Sequence, residues 1–343
     1  EDLHEPGDYV TGTTSETEFN ISTVNIEENG SRQPVPYVLP PGIDREQWYS
    51  SSSSYTMLNE QALGMEITDL SSGDSRAIYR NSQYDMRYYG KLKMFVHAEQ
   101  KDVTSSLEDD NMTLFVRLGS DFTSNYYEYE LPLKLTPWGT TSEFDDVIWP
   151  AANNVEIDLQ KFVDIKTARN KKVRSGNHDY SPSMIYSEHY DGRKYSVLGS
   201  PNLGKVKVIM VGVRNPRKNT LGDGNDMKPK SVIVWINELR LSEYSNKGGW
   251  AAMAMARTNL ADIGNLSMYT SYTSSGFGNL EDHLTDFDFV NQFQFQTTLD
   301  MELGRFLPEE WGVQIPFYMD VNNTIGSPEY NPLDPDVILS EDI

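Results

Sequence analysis

One turn of the sequence carries side chains that are able to bind a metal ion. Residues 221–226 read LGDGND and bring three oxygen-bearing side chains close together, namely Asp223, Asn225 and Asp226. Carboxylate and amide oxygens at such spacing bind Ca²⁺ in proteins. Gly, Asp and Asn are also the residues that an ordinary turn between two strands requires. We expect a plain turn here and keep the three residues as a calcium candidate.

No other residue pattern predicts catalysis or a cofactor. The five histidines are scattered, without the spacing of a zinc site; they are His4, His97, His178, His189 and His283. The sequence has no cysteine, which excludes a thiol nucleophile and a disulfide scaffold. It contains neither a GxSxG motif nor a glycine-rich phosphate loop. We therefore expect no enzyme activity, no cofactor and, apart from the turn above, no metal site.

A cluster of aromatic residues offers a second kind of binding chemistry. Tyr126, Tyr127, Tyr129 and Trp138 are able to form a platform on which a sugar ring stacks. In a strand, however, Tyr127 and Tyr129 share one face with Leu131, and such a face is typical of a core. Core packing therefore explains at least half of this cluster.

Composition narrows the classes of protein to which the chain can belong. Its 343 residues include 29 Lys and Arg against 51 Asp and Glu, so the formal net charge is −22. A field of this sign repels phosphates, and we expect no nucleic-acid partner. No apolar run reaches the ~18 residues that a membrane-spanning helix needs. The 20 tyrosines argue against a disordered acidic chain.

Apolar alternation predicts an all-β protein with three regions. Residues 1–60 form a polar arm, with an alternating stretch at 19–26 that is able to add an edge strand to a sheet. Residues 61–246 predict an antiparallel β-sandwich or jelly roll. In its clearest strand, Leu92, Met94, Val96 and Ala98 share one face, and His97 lies on the other. The predicted strands are residues 64–70, 91–99, 112–119, 126–135, 155–159, 205–213 and 231–241.

One helix is predicted inside the sandwich, over residues 159–174. Phe162, Ile165 and Ala168 recur at roughly helical spacing. Six basic side chains accompany them: Lys161, Lys166, Arg169, Lys171, Lys172 and Arg174. A docking surface is one interpretation, but a run of charges more often indicates a solvated face, which is what we expect.

Residues 250–343 show a longer and purer alternation than soluble strands keep. Residues 287–303 place apolar side chains at odd positions and polar ones at even positions, and residues 313–321 continue the pattern. Such segments, joined by short and long links in turn, are typical of an outer-membrane β-barrel. The expected lipid-facing residues are Phe289, Phe293, Phe295, Leu299, Met301, Ile315, Phe317 and Met319. The expected lumen-facing residues are Gln292, Gln294, Gln296, Asp300 and Glu302.

About four such strands are too few to close a barrel, so we expect the chain to be a fragment of a larger protein. The links at residues 261–265 and 306–311 are short, and short turns of bacterial barrels lie in the periplasm. The strand that begins near Trp250 should then run inward, which predicts that the sandwich lies on the cell-surface side of the outer membrane. Pro316 predicts a strand edge or a bulge, since proline lacks the N–H that a central strand donates.

Four blocks of the sequence resemble one known family. They are residues 37–46 (YVLPPGIDRE), 91–99 (KLKMFVHAE), 235–252 with WINELRL and KGGWAA, and 330–336 (YNPLDPD). Their order resembles the SprA/Sov family, the outer-membrane translocon of the type 9 secretion system of Bacteroidetes, which is also tied to gliding motility. The resemblance implies a wide barrel that passes folded cargo proteins to the cell surface, with other secretion-system subunits and outer-membrane lipid as partners.

Two alternatives remain open at this point. A carbohydrate-binding jelly-roll module of a surface glycan-handling protein explains residues 61–246 but not the amphipathic segments that follow. Another outer-membrane transporter barrel explains these segments but not a sandwich leading directly into them.

Overall fold

The computed structural model describes residues 2–4, 16–49, 55–103, 107–176, 178–217, 226–245, 248–278 and 289–339. Within these ranges the strands are β1 (Asp2–His4), β2 (Glu18–Asn25), β3 (Gln47–Tyr49), β4 (Tyr55–Met57), β5 (Gln61–Leu70), β6 (Asp74–Tyr84), β7 (Tyr89–Gln100), β8 (Thr113–Gly119), β9 (Tyr126–Pro132), β10 (Val155–Asp158), β11 (Tyr186–Tyr190), β12 (Arg193–Leu198), β13 (Val206–Arg214), β14 (Lys230–Tyr244), β15 (Ala251–Leu260), β16 (Gly264–Thr273), β17 (Val290–Glu302), β18 (Pro316–Pro328), β19 (Tyr330–Asn331) and β20 (Asp334–Ile338). The helices are α1 (Ile26–Asn29), α2 (Asp145–Ile148) and α3 (Leu159–Arg174).

The chain folds as two compact units, Glu1–Ser245 and Asn246–Ile343. The first unit contains a seven-stranded sheet, in the order β1-β6-β13-β8-β9-β12-β11, and a five-stranded sheet, in the order β10-β7-β14-β5-β2. The second unit contains a four-stranded sheet, β15-β16-β17-β18. The pairings in these sheets are antiparallel, so the predicted all-β class, a sandwich followed by further antiparallel strands, is confirmed.

Alternation places the core of the first unit where the sequence predicts it. Leu92, Met94, Val96 and Ala98 of β7 are all buried. Their neighbours on β14, Val232 and Val234 among them, are buried on the same face. The sandwich therefore packs through the predicted face of its central strands.

Four strands of the seven-stranded sheet were not predicted, namely β1, β6, β11 and β12. The core-facing positions of β6 alternate Arg76, Ile78 and Arg80, which hides the apolar pattern. The hairpin β11–β12 turns at Asp191 and Gly192, both with positive φ (49° and 73°). Asp-Gly is a favoured pair for a two-residue hairpin turn, so this signal was available in the sequence.

The N-terminal residues cover one end of the five-stranded sheet. The stretch expected to form an edge strand is β2, which pairs with β5 along its whole length. Beyond α1, the side chains of Val35 and Tyr37 are buried. The Tyr37 ring packs against Trp149 at 6.0 Å and Trp235 at 5.6 Å between centroids. The segment expected to be a polar arm thus contributes its own apolar residues to a small second core.

The N-terminal segment also covers the outer face of β7, as the surroundings of His97 show. It lies opposite the core-facing residues, as expected, yet its side chain is fully buried. The imidazole stacks on Trp235 with ring centroids 4.0 Å apart, and its Nδ1–H donates to the Ile148 carbonyl oxygen at 2.7 Å. Arg32 forms an ion pair with the neighbouring Glu99 at 2.5 Å. The face that a half-buried strand would leave to solvent is covered here by the N-terminal segment and by α2, which ends at Ile148.

The predicted helix is α3, with the bounds expected from the sequence. The expectation of a solvated basic face is wrong for two of its members, because Lys166 and Arg169 are buried. Lys166 Nζ donates to the carbonyl oxygen of Pro201 at 3.0 Å, and Arg169 Nη1 donates to that of Gly199 at 2.7 Å. These long side chains fasten the helix to the loop before β13. No helix within the described ranges combines the length and the apolar character needed to cross a bilayer.

Candidate functional site

The four strands of the second unit form one regular antiparallel sheet. Residues of β15 pair with β16 from Ala251↔Thr273 to Leu260↔Gly264, and β16 pairs with β17 from Gly264↔Met301 to Thr273↔Gln292. β17 pairs with β18 over its full length. None of these three pairings contains a register shift, so side chains directly opposite one another point to the same face. The two faces can therefore be read from the register.

One face of this sheet is predominantly apolar. On β17 it carries Phe293, Phe295, Leu299 and Met301, together with Asn291 and Thr297. The residues that share this face on the other strands, taken from the register, are Ala252, Ala254, Ala256, Thr258, Leu260, Gly264, Leu266, Met268, Thr270, Tyr272, Phe317, Met319, Val321, Asn323, Ile325 and Ser327. Several of them are well exposed, Phe293 by 40% and Ile325 by 53%. An exposed apolar surface of this extent marks a face that contacts another apolar medium or molecule.

The opposite face is predominantly polar. It carries Gln292, Gln294, Gln296, Thr298, Asp300 and Glu302 of β17, with Asn265, Ser267, Ser271, Asp320, Asn322 and Thr324 on the flanking strands. Asp320 Oδ1 accepts hydrogen bonds from Gln296 Nε2 at 3.3 Å and Thr298 Oγ1 at 3.2 Å. β15 departs from the pattern, because this face presents Met253 and Met255, which are 70% and 58% exposed. The polar face is therefore built mainly from amide and hydroxyl groups.

The register places the two sets of residues predicted from the sequence on opposite faces of the sheet. The expected lipid-facing residues that belong to strands lie on the apolar face, and all five expected lumen-facing residues lie on the polar face. Phe289 and Ile315 stand just outside the strands. The Phe289 ring packs edge-on against Tyr330 with centroids 5.0 Å apart, and the Ile315 carbonyl accepts from Leu303 N at 2.8 Å. What medium each face contacts stays a prediction.

Strand ends and links differ in detail from the predicted ones. β15 and β16 are separate strands, joined by a tight turn at residues 261–263 in which Ala261 has a φ of 50°. The link between β17 and β18 spans residues 303–315, longer than the predicted 306–311, because two 3₁₀ turns occupy it. Pro316 is the first residue of β18, which is an edge strand of the described sheet. This is a position where a strand tolerates proline.

Aromatic side chains gather at both ends of the sheet. At one end Trp250 packs on Tyr272 with ring centroids 4.7 Å apart, close to Phe293 in the register. At the other end, Phe306 and Trp311 of the link 303–315 are 62% and 65% exposed. From the sequence, both residues were expected only to form part of a link. Their position beyond the end of a dyad-repeat strand was a signal that could have singled them out.

The chain matches a protein-family model. The SprA_N family, described as "motility related/secretion protein", matches residues 3–343. The chain belongs to this family. The resemblance to SprA/Sov proteins is thereby confirmed, and no curated protein matches the chain.

Of the three residues that were candidates for calcium binding in this SprA_N protein, only Asp226 lies within the described residues, and its contacts do not support a calcium site. Asp223 and Asn225 lie outside the described residues. Asp226 accepts a hydrogen bond from Lys228 N at 3.2 Å and forms an ion pair with Lys230 Nζ at 3.0 Å. Burial alone would raise the pKa of Asp226, but these contacts lower it below its usual range. Its carboxylate thus already faces a cation, and the described ranges contain no group of three His, Asp or Glu side chains placed to hold a metal.

The aromatic cluster is mostly core, as the alternation indicated. Tyr126, Tyr127 and Tyr129 are buried. Tyr127 stacks on Phe162 of α3 with ring centroids 5.0 Å apart, and the Arg117 guanidinium lies 4.2 Å from the centre of the Tyr126 ring. Trp138 is 46% exposed and stands apart from them in the loop after β9. These tyrosines therefore cannot serve as an open platform for a sugar.

Proposed function

We propose that this chain is part of a protein-conducting translocon of the bacterial outer membrane, and that β15–β18 are membrane-spanning strands of its barrel wall. Membership of a motility and secretion family supports a role in secretion. The amphipathic four-stranded sheet, which carries the proposal, supports a wall between lipid and water. The resemblance to SprA/Sov proteins supplies the finer assignment to the type 9 secretion system of Bacteroidetes and to gliding motility.

The dimensions of the sheet support a membrane span. The ten pairs that join β16 to β17 extend about 30 Å at ~3.4 Å per residue. With the tilt of ~40° that barrel strands adopt, this length covers roughly 23 Å along the membrane normal, close to the ~25 Å apolar band of outer-membrane barrels. The aromatic residues at both ends, such as Tyr272 and Trp311, correspond to the girdles found at the two interfaces.

The two faces have the chemistry that a pore wall requires. Phe293, Phe295 and Leu299 would meet lipid, where unpaired polar groups are costly. Gln294 and Gln296 would line the lumen, where neutral amides offer a hydrated surface over which folded cargo passes without adhering. A porin would show the same polar face, so this argument supports a pore, while family membership favours secretion.

The short turn at residues 261–263 supports an orientation. Tight turns of bacterial barrels lie in the periplasm, so β15 would run inward from the cell surface. The first unit, which precedes β15, would then lie on the cell-surface side. Expected partners are other secretion-system subunits, secreted cargo proteins and outer-membrane lipid. A net charge of −22 disfavours nucleic acid.

A matched pair of substitutions tests the membrane assignment. In the full-length protein, Phe295→Arg places a guanidinium on the face expected to meet lipid, and Gln294→Arg places one on the face expected to meet water. Near the middle of the membrane the first should cost about 2–4 kcal/mol and reduce assembly in the outer membrane, while the second should assemble normally. Equal assembly of the two variants, or equal failure, would overturn the assignment.

A pair of cysteines tests the orientation separately. The chain contains no cysteine, so Ser142→Cys in the first unit and Asp262→Cys in the turn after β15 each add one thiol to it. Both residues are exposed. In a full-length protein made free of other cysteines, an impermeant maleimide applied to whole cells should label Cys at 142 and not at 262. The reverse pattern would place the sandwich in the periplasm and refute this part of the proposal.

A further inference from the structure

The first unit contains an apolar cleft of about 1040 Å³ between its two large sheets, on the side where β2 and β6 lie. β2, β5 and β14 of the five-stranded sheet form one wall, and β6 and β13 of the seven-stranded sheet form the other. Both walls are mainly apolar, with Phe19, Ile21 and Leu63 on the first and Ile78 and Ile209 on the second. The volume is at the upper end of the range of ligand sites in proteins, roughly 300–1,000 Å³.

The core face of the five-stranded sheet continues into this cleft without being covered. Ile21 lies opposite Met65 in the register and shares its face. Met65 is fully buried, whereas Ile21 is 55% exposed. Leu239 also lines the cleft and is 45% exposed, next to the irregularity in β14 where Glu238 has a φ of 54°. Within the described part of the chain, side chains that belong to a core by their position therefore lack a packing partner at this edge.

Two strand edges flank the cleft. β2 pairs with β5 on one side, and among the described residues no strand pairs with its other side. β6 pairs with β13 from Ser75 to Asn81 and again at Tyr84, with an irregularity between them. β1 covers its outer side only at residues 74–76, which leaves residues 78–84 as an edge in the described part of the chain. An uncovered edge presents a row of backbone N–H and C=O groups that pair with another extended chain.

Arg80 adds a charge to the cleft wall. Its side chain lines the cleft and is exposed, and within the described residues no carboxylate forms an ion pair with it. Two other arginines of the same sheet do have carboxylate partners. Arg117 and Arg214 are buried, and both form ion pairs with Glu128. Among the described residues, therefore, no carboxylate pairs with the Arg80 guanidinium. Glu238, which also lines the cleft, pairs instead with Arg240 at 3.7 Å.

We infer that the cleft binds an extended polypeptide segment of another protein, which adds a strand to β2, places apolar residues at alternate positions against Phe19, Ile21 and Ile78, and meets Arg80 with an acidic side chain. Strand addition to a sheet edge takes affinity from the backbone and specificity from pockets for alternate side chains. A lipid chain with an anionic head would satisfy the walls and Arg80, but it would not use the backbone edge of β2. The inference concerns the sandwich alone and is independent of the membrane assignment of the second unit.

A displayed library of random ten-residue peptides, selected on the intact protein in detergent, is a direct test. Enriched peptides should have apolar residues at every second position and an Asp or Glu close to these apolar residues in the sequence. The best peptide should bind at least tenfold more weakly to the Arg80→Glu variant. It should bind equally well to Lys205→Glu, which changes the net charge by the same amount at an exposed residue outside the cleft lining. A peptide with Lys in place of the acid should reverse the preference for Arg80→Glu.

Backbone pairing is tested with the same peptide. Methylation of its alternate backbone nitrogens should abolish binding if these groups pair with β2. Three results would overturn the inference: no enrichment above an unrelated protein, equal binding to the wild type and Arg80→Glu, or binding that survives methylation at both alternate sets of nitrogens. Dodecanoate that binds in an Arg80-dependent way while no peptide does would identify a lipid site instead. Because Arg80 and Lys205 are exposed, circular dichroism of the two variants should match that of the wild type.

Discussion

Trp149 and Val38 lie 111 residues apart in the sequence and are joined by a hydrogen bond from the indole Nε1–H to the backbone carbonyl oxygen at 2.9 Å. Both residues belong to the small core that the N-terminal segment forms against the five-stranded sheet, together with Tyr37 and Trp235. This bond ties a proline-rich segment, without regular structure of its own, to the loop that precedes β10. It is one of the contacts, with the packing of Tyr37 on Trp149 and Trp235, that attach this segment to the sheet.

Replacing this indole should destabilise the first unit. Trp149→Phe keeps an aromatic ring but leaves the Val38 carbonyl without its donor, and an unsatisfied buried group costs about 1–3 kcal/mol. The free energy of unfolding, measured in denaturant with intrinsic fluorescence, should fall by this amount. Trp138→Phe is the matched control: Trp138 is 46% exposed, so its replacement should change stability by less than about 0.5 kcal/mol. Similar losses in both variants would contradict the role of the Trp149 bond.

A second prediction concerns the basic residues of α3. Arg169→Ala removes a buried side chain and the donor to the Gly199 carbonyl, which should cost about 2–4 kcal/mol. Lys171 lies two residues along the same helix and is exposed, so Lys171→Ala should have little effect. Thermal unfolding of the two variants checks the difference. A solvated basic face would instead make the two substitutions equivalent.

Asp121 should make stability depend on pH in the acid range. Its carboxylate accepts backbone N–H donors from Thr123 at 2.9 Å and Asn125 at 3.0 Å in the turn between β8 and β9. Burial alone would raise its pKa, but the hydrogen bonds from the turn lower the pKa to about 2. Since this lies below the ~3.9 of an unfolded Asp, the stabilisation is complete above about pH 4 and is lost as the pH falls towards 2.

Asp121→Asn removes this titration and measures its size. The variant should be less stable than the wild type by about 1–2 kcal/mol at pH 7, and the difference should shrink as the pH approaches 2. Denaturant midpoints at several pH values between 2 and 7 check this. A difference that stays constant over that range would show that the Asp121 carboxylate does not titrate with the lowered pKa.

Local patterning predicts those parts of the fold in which one face of an element is uniformly apolar. The central strands β5, β7 and β14 have this property, and their positions follow from the period of the apolar residues. The bounds of α3 could also be predicted, although its buried face includes Lys166 and Arg169 beside Phe162 and Ile165. β6 does not, because Arg76 and Arg80 stand on its core-facing side. Lys166 and Arg169 were misplaced for a related reason: long basic side chains bury their stems and reach a carbonyl group, which no periodicity reveals.

Other features could not be predicted because they depend on contacts between residues that are far apart in the sequence. The burial of His97 depends on Val35 and Tyr37 folding back over its face of the sheet, and these residues have no period that links them to β7. In the second unit the two faces could be predicted because β17 and β18 pair without a bulge, so the simple alternation holds along the strands. Their ends could not be predicted, since 3₁₀ turns take up residues that still alternate in the sequence.

The most direct test of the central claim is the accessibility of consecutive positions in β17. Single cysteines at Gln292, Phe293, Gln294, Phe295 and Gln296, in a full-length protein otherwise free of cysteine and residing in its native outer membrane, are treated with a water-soluble maleimide after permeabilisation. If β17 separates lipid from a water-filled lumen, cysteines at 292, 294 and 296 react and those at 293 and 295 do not. Uniform reaction at all five positions, or reaction at 293 and 295 alone, would contradict the assignment of this sheet to a membrane wall.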